Sequence, residues 1–217
     1  ETDMYAQRIK FFPAAGKQAE LRSVLEERVH GFHDTGARAS LALGIASGWQ
    51  GNAFSINIFH NTLADFQDFR LNNRERQPNF QDRLSDLVAS PTDVTLSEIL
   101  ARPDIAKLEL KAPYFWHRAT LHRKLGKGPE LKALVEDRAT KLNESGRPAM
   151  LSESIYGYET PVFELGTVFQ DLASLEESRN NNRKDPDYIA MAAKLQDLVA
   201  RPAQFSLLEI LVPTPRP

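Results

Sequence analysis

The sequence contains no cysteine. That absence rules out disulfides, thiolate metal ligands, cysteine nucleophiles and iron–sulfur clusters together, while leaving the redox compartment open. No apolar run approaches the roughly 18 residues that a bilayer-crossing helix needs. Neither sign of charge prevails: 27 Lys and Arg against 29 Asp and Glu give a formal net charge of −2, with basic residues scattered among acidic ones. Nucleic acid and anionic membrane are therefore not expected partners. A GxGxxG fingerprint, a phosphate-binding P-loop and a GxSxG elbow are missing too, so nucleotide-linked hydride transfer, phosphoryl transfer and elbow-type hydrolysis have no support. The opening "ETDMYAQRIKFF" lacks the basic-then-apolar pattern of a secretory leader. A cytoplasmic protein is expected, with a leader already cleaved left open.

What is present is a sequence written twice. A shift of 110 positions sets "YAQRIKF" (5–11) over "FWHRATL" (115–121), "ELRSVLEER" (20–28) over "ELKALVEDR" (130–138), and Gly36 over Gly146. One residue of slip then sets Phe54 over Phe163 and "RLNNR" (70–74) over "RNNNR" (179–183). "DLVA" occurs at 86–89 and again at 197–200, with "SEIL" (97–100) and "LEIL" (208–211) following in the same order. Matches that keep their order over the whole length are the mark of duplication. The expected division is a repeat over 4–100, a linker over 101–113 and a second repeat over 114–212.

Each repeat has one pattern. A strand with Tyr5, Ile9 and Phe11 alternating against Arg8 and Lys10 precedes a helix over about 16–33, whose Leu21, Val24, Leu25, Val29 and Phe32 share a stripe. Gly36 is a natural left-handed stop. Strands at 39–47 and 53–60, a helical region at 62–89 and a strand at 93–100 complete a β-α-β-β-α-β order, the ferredoxin-like plan. The fold class is α+β: two tandem ferredoxin-like repeats whose antiparallel sheets stack on each other as an intramolecular dimeric α/β barrel.

The repeated Arg-Asn stretch reads first as punctuation. Arg in a last helical turn suits the negative end of the dipole, and Asn tolerates a left-handed exit. "DPDY" (185–188) supplies an N-cap Asp and a Pro at the first position of a new helix. The alternative is an anion clamp built from arginines four residues apart.

These stretches carry a resemblance. "YAQRIKFFPAAGK" (5–17), "NTLADFQDFR" (61–70), "QDLASLEESR" (170–179), "DPDY" and the closing "SEIL" and "LEILVP" resemble the NIPSNAP family in both halves. The first half departs with "RQPNF" (76–80), and the second with "RKLGKG" (123–128) in place of the first turn's Pro. The resemblance implies a dimeric α/β barrel and no settled catalytic motif. The wider superfamily includes cofactor-free quinone-forming monooxygenases, small isomerases and haem-binding enzymes.

Candidate site residues lie mainly on the first strand of each repeat. Alternation sends Arg8 and Arg118 into the space between the sheets, with Trp116 on the same side. A buried Arg needs a partner; Glu98 and Glu209, on the last strands, are candidates, and Glu164 is a further carboxylate facing that way. His122 and His60, at strand ends, are candidate general bases. His30 and His33, three apart, gather no third metal ligand, so no metal is expected. Trp49, Tyr156 and Tyr158 are turn aromatics able to line a cavity.

Three functions compete. The first is binding or turnover, without a cofactor, of an aromatic or oxygen-rich small molecule between the sheets, with Arg118 holding an oxyanion and His122 or His60 moving a proton. The second is a scaffolding or homo-oligomerising module filled by its own side chains. The third is haem binding through His117 or His122. A cavity of roughly 300 Å3 or more between the sheets would favour the first.

Overall fold

The computed structural model describes residues 5–46, 52–76, 79–103, 108, 110–158 and 161–215, with backbone only at 74–76. Trp49, Pro78 and part of the 101–113 stretch lie outside the described residues. The elements run β1 (Tyr5–Phe11), α1 (Gln18–Asp34), β2 (Arg38–Ala46), β3 (Phe54–His60), α2 (Leu63–Arg76), α3 (Phe80–Leu84) and β4 (Asp93–Ala101). The same order follows as β5 (Tyr114–His122), α4 (Gly128–Glu144), β6 (Ala149–Tyr156), β7 (Val162–Phe169), α5 (Leu172–Asn182), α6 (Pro186–Leu198) and β8 (Gln204–Val212).

The eight strands close into one antiparallel barrel in the order β1-β3-β2-β8-β5-β7-β6-β4. This differs from two sheets stacked face to face. Each half has two edge strands, and β2 pairs with β8 while β4 pairs with β6. Edge pairing satisfies backbone groups that stacking would leave open. Register shifts occur at both seams, between Leu41/Ala42 and Gly44/Ala46 on one and between Leu96/Ser97 and Ile99/Ala101 on the other. Such bulges add the local bend that closure requires.

Alternation then separates an apolar outside from an inside that holds polar groups and one small apolar cluster, Ala42, Leu208 and Ile210 with Tyr114 and Trp116. On the outside, Leu21, Leu25, Val29 and Phe32 of α1 pack on Phe11, Leu41, Phe54, Ile56 and Ile58. Leu131, Val135 and Ala139 of α4 pack on Leu121, Leu151 and Phe163. Each fully buried Leu or Phe contributes roughly 1.5–3 kcal/mol, so these helix–sheet layers are the main stabilising cores. Both long helices stop at a glycine in the left-handed region, Gly36 (φ 78°) and Gly146 (φ 76°), where a side chain would be strained.

The Arg-Asn stretches mark helix ends less uniformly than expected. α5 ends at Asn182, and α6 starts at Pro186 with Asp185 accepting from the Asp187 N–H at 3.0 Å. In the first half, α2 runs through the motif to Arg76. No Asn of either motif makes a left-handed exit: among the described residues, Asn52 is the sole non-glycine with positive φ. Asn73 and Asn182 instead accept hydrogen bonds from Arg28 (2.5 Å) and Arg138 (3.3 Å), tying α2 to α1 and α5 to α4.

Candidate functional site

Inside the barrel, Arg8 and Arg118 point inward as their alternation requires, and both are buried. Their partner is Glu164. Arg8 donates to it from both Nη atoms at 2.9 Å, a bidentate ion pair that spans the barrel from β1 to β7. Arg8 Nη2 also donates to Tyr158 Oη (3.0 Å) and Thr95 Oγ1 (3.3 Å), and Tyr158 donates to Glu164 Oε1 at 2.8 Å. Arg118 Nε lies 3.9 Å from Glu164 and donates to Ser206 Oγ at 3.3 Å. Burial alone would raise the Glu164 carboxyl, but Arg8 and Arg118 hold it well below the usual carboxylate range. Tyr158 is pushed up to about 12, first by burial. Lys10, beside Asp93 at 3.7 Å, is pushed down to about 8 by burial and by both arginines.

Glu98 and Glu209 do not join this network. Register places Glu98 opposite Tyr5 and Glu209 opposite Phe115, on the outer side, while Thr95 and Ser206 stand opposite Arg8 and Arg118. The expected pairing within each half is replaced by a pairing across the barrel.

The space bounded by Arg8, Asn57, Thr95, Trp116, Ser152 and Glu164 measures about 20 Å3, room for about one water. The Trp116 indole lies against Gly166, where a Cβ would overlap its nitrogen. Positions 6 and 57, the counterparts of 116 and 166, hold Ala and Asn. The space of about 20 Å3 lies where the sequence placed a site, and it is too small for a ligand.

The two candidate bases are also apart. His60 faces outward beneath α2, its ring 5.4 Å from those of Phe66 and Phe69, and burial pushes it down to about 4. His122 faces inward at the far end of β5, where its Nε2 receives Arg201 Nη2 at 2.5 Å. Burial and then Arg201 lower it. His33 Nε2 donates to Ala39 O (2.8 Å), and its ring meets His30 edge-on at 5.9 Å. Tyr156 is exposed.

Ligand-sized space lies elsewhere. Between the outer face of β5, β7 and β8 and helices α4, α5 and α6 is a cavity of about 370 Å3. Ala119, Leu121, Leu165, Leu175 and Met191 form part of its apolar wall, and His117, Arg138, Arg147, Arg179, Arg183 and Asn182 are among its polar groups. The His117 ring stacks on Phe205 at 5.5 Å with an 11° tilt, and burial followed by the Arg179 charge lowers its pKa. In the first half a smaller space of about 110 Å3 lies between α1 and α2, lined by Arg28, Phe32, Phe69 and Asn73 and by no strand residue. There Phe32 and Phe69 meet edge-on at 5.2 Å; at their aligned positions the second half has Leu142 and Ser178. Arg28 caps the rings of Phe32 (4.6 Å) and Phe80 (4.5 Å), whereas Arg138 covers only Tyr188, at 5.1 Å.

The sequence offered His117 as a haem ligand and the arginines of 179–183 as an alternative anion clamp, but left Arg138 and Arg147 unassigned. The large-to-small changes at 142 and 178 were the available signal. As donors to haem iron the two histidines differ: His122 is taken by Arg201 inside the barrel, while His117 reaches the cavity.

Comparison with solved structures shows that the fold matches a dimeric α/β barrel. A proposed monooxygenase from Fusobacterium nucleatum superposes with a TM-score of 0.74 at 15% identity, over 97% of this chain and 93% of that one. A proposed monooxygenase from Lactobacillus acidophilus gives 0.70 at 10% identity, over 99% of both chains. An anthrone oxidase-like protein gives 0.66 at 12%, over 97% and 92%. At these identities the likeness is one of fold. No protein-family model matches the sequence, and no curated protein matches it. No helix among the described residues is long and apolar enough to cross a membrane.

Proposed function

We propose that the protein binds a small, largely apolar, oxygen-bearing aromatic molecule in the second-half cavity and deprotonates it with His117. The observation that carries this reading is a 370 Å3 space with a histidine, whose pKa burial lowers, and arginines on a largely apolar wall. The chemistry would be that of a carbon acid such as an anthrone. His117 accepts a proton from the activated CH2, and the cationic rim stabilises the enolate. The electron-rich carbanion attacks dioxygen, His117 returns the proton to the peroxide, and loss of water converts CH2 to C=O. Dioxygen supplies the oxygen of both products, and no added cofactor is required. The names of the structural neighbours suit this reaction class.

The architecture behind the site is inferred to be a pair of ferredoxin-like repeats, 4–100 and 114–212, joined by 101–113, of which the second kept an open cavity. Identical element order, glycine stops at equivalent places and the aligned stretches support this reading, and the NIPSNAP likeness accords with it.

The test is anthrone oxidation under air, followed by quinone absorbance and oxygen uptake. His117→Ala should keep binding and lose roughly 100-fold or more in rate, and Ala119→Trp should block both. Equal activity in Ala119→Trp would remove the cavity from the mechanism. The small size of the inner space bounded by Arg8, Trp116 and Glu164 favours a second reading, a scaffold, which predicts no ligand response at all. A Soret band on adding haem, lost in His117→Ala, would favour the haem alternative; its absence would end it.

A further inference from the structure

We infer that the cavity selects an anion, a carboxylate- or sulfonate-bearing aromatic acid, and that Arg147 is the residue that confers the selection. This rests on the cavity being a ligand site. Four arginines, Arg138, Arg147, Arg179 and Arg183, line it, and no Asp or Glu does. None of the four is in a salt bridge with a carboxylate among the described residues. Arg138 is buried and Arg147 partly buried, while Arg179 and Arg183 are exposed at the rim. Burial and then the Arg147 charge weigh on Arg138, only partly offset by Asp185 and Asp137, a cost that an incoming anion relieves.

The neutral partner now present is a weak one. A single oxygen, Asn182 Oδ1, receives both Arg138 Nη2 (3.3 Å) and Arg147 Nη1 (3.2 Å). A carboxylate or sulfonate offers several charged acceptors to the same donors, at shorter range and with about twice the strength per bond. Position matters as well. A surface groove beside the cavity shares Arg147, Phe169, Ser178 and Asn182 with it, so the Arg147–Asn182 pair stands where the two spaces meet. Acidic Glu177 and Asp185 line the groove but not the cavity. A ligand entering apolar end first would leave its anionic group at Arg147.

The first half provides the contrast. Arg28 matches Arg138 and donates to Asn73 as Arg138 does to Asn182, but the position of Arg147 is Ala37. The additional arginine occurs in the half with the large cavity. Ala37 also shows that the turn after the helix accepts alanine, so Arg147→Ala should fold.

The experiment titrates the full chain with two fluorescent probes of similar shape, anilinonaphthalene sulfonate, which is anionic, and uncharged N-phenylnaphthylamine. The sulfonate should bind at least about tenfold tighter, its affinity should fall between about 20 and about 200 mM salt, and Arg147→Ala should erase most of the difference while leaving the neutral probe unchanged. Ala119→Trp should abolish binding of both. Equal affinity for the two probes, or indifference of the sulfonate to Arg147→Ala, would overturn anion selection and leave the cavity reading standing. Failure of both probes to bind, or binding that survives Ala119→Trp, would overturn the cavity reading and this inference with it.

Discussion

Removing the Glu164 charge should destabilise the protein more than any other single change on the inner barrel face. Glu164→Gln keeps the volume and converts the centre of the network to a neutral amide. Arg8 then loses its bidentate carboxylate, with both side chains under a tenth exposed, and Arg118 loses the carboxylate 3.9 Å away. Breaking one partner of a buried pair costs roughly 3–5 kcal/mol, because the remaining charge stays buried. For a chain of this size, each kcal/mol moves Tm by about 2–4 °C, giving an expected fall of roughly 6–20 °C. Urea unfolding followed by circular dichroism would read the free energy directly. Because the folded pKa of Glu164 is depressed, its contribution is present above the unfolded value near 4.3 and is lost as pH falls through the folded one. The wild type should therefore lose stability in acid more steeply than Glu164→Gln. A variant within about 1 kcal/mol of wild type would refute the reasoning, since exposed pairs have that magnitude.

Three further outcomes are expected. His60, neutral and pushed down to about 4 chiefly by burial against the opposing Asp65 charge, should cost stability as pH falls from its unfolded value near 6.5 towards 4; the loss approaches about 3 kcal/mol, and His60→Phe should flatten that slope in acid unfolding curves. Gly166→Ala should displace the Trp116 indole, lowering stability by roughly 1–3 kcal/mol and shifting tryptophan emission, whereas Asn57→Ala should leave emission unchanged. Asn182→Ala should cost about 1–3 kcal/mol through the unpaired Arg138 and Arg147 donors, measurable in urea.

Much of the scaffold was legible because strand and helix periods recur in both halves. Alternation alone sends Arg8, Arg118 and Glu164 inward, and Gly36 and Gly146 end their helices as the sequence implies. Glu98 and Glu209 were misjudged as partners because Val94 and Leu96 share the face of Glu98, and parity on a last strand depends on register with its neighbour. The site eluded the sequence for a different reason. Whether inward side chains fill a barrel depends on their packing in three dimensions, and here Trp116 and the Arg8–Glu164 pair occupy the middle. The cavity outside depends on missing bulk, Ser178 where the first half has Phe69, a difference visible only after the halves are aligned.

The two seams carry one more implication. β2 and β4 find their outer hydrogen-bonding partners only in β8 and β6, which leave the ribosome later. A nascent or proteolysed N-terminal half would therefore present two bare strand edges and an unneutralised Arg8 at once, a combination suited to recruiting foreign strands. The finished ring offers neither, and its integrity is independent of dilution, because no second molecule is needed to complete it.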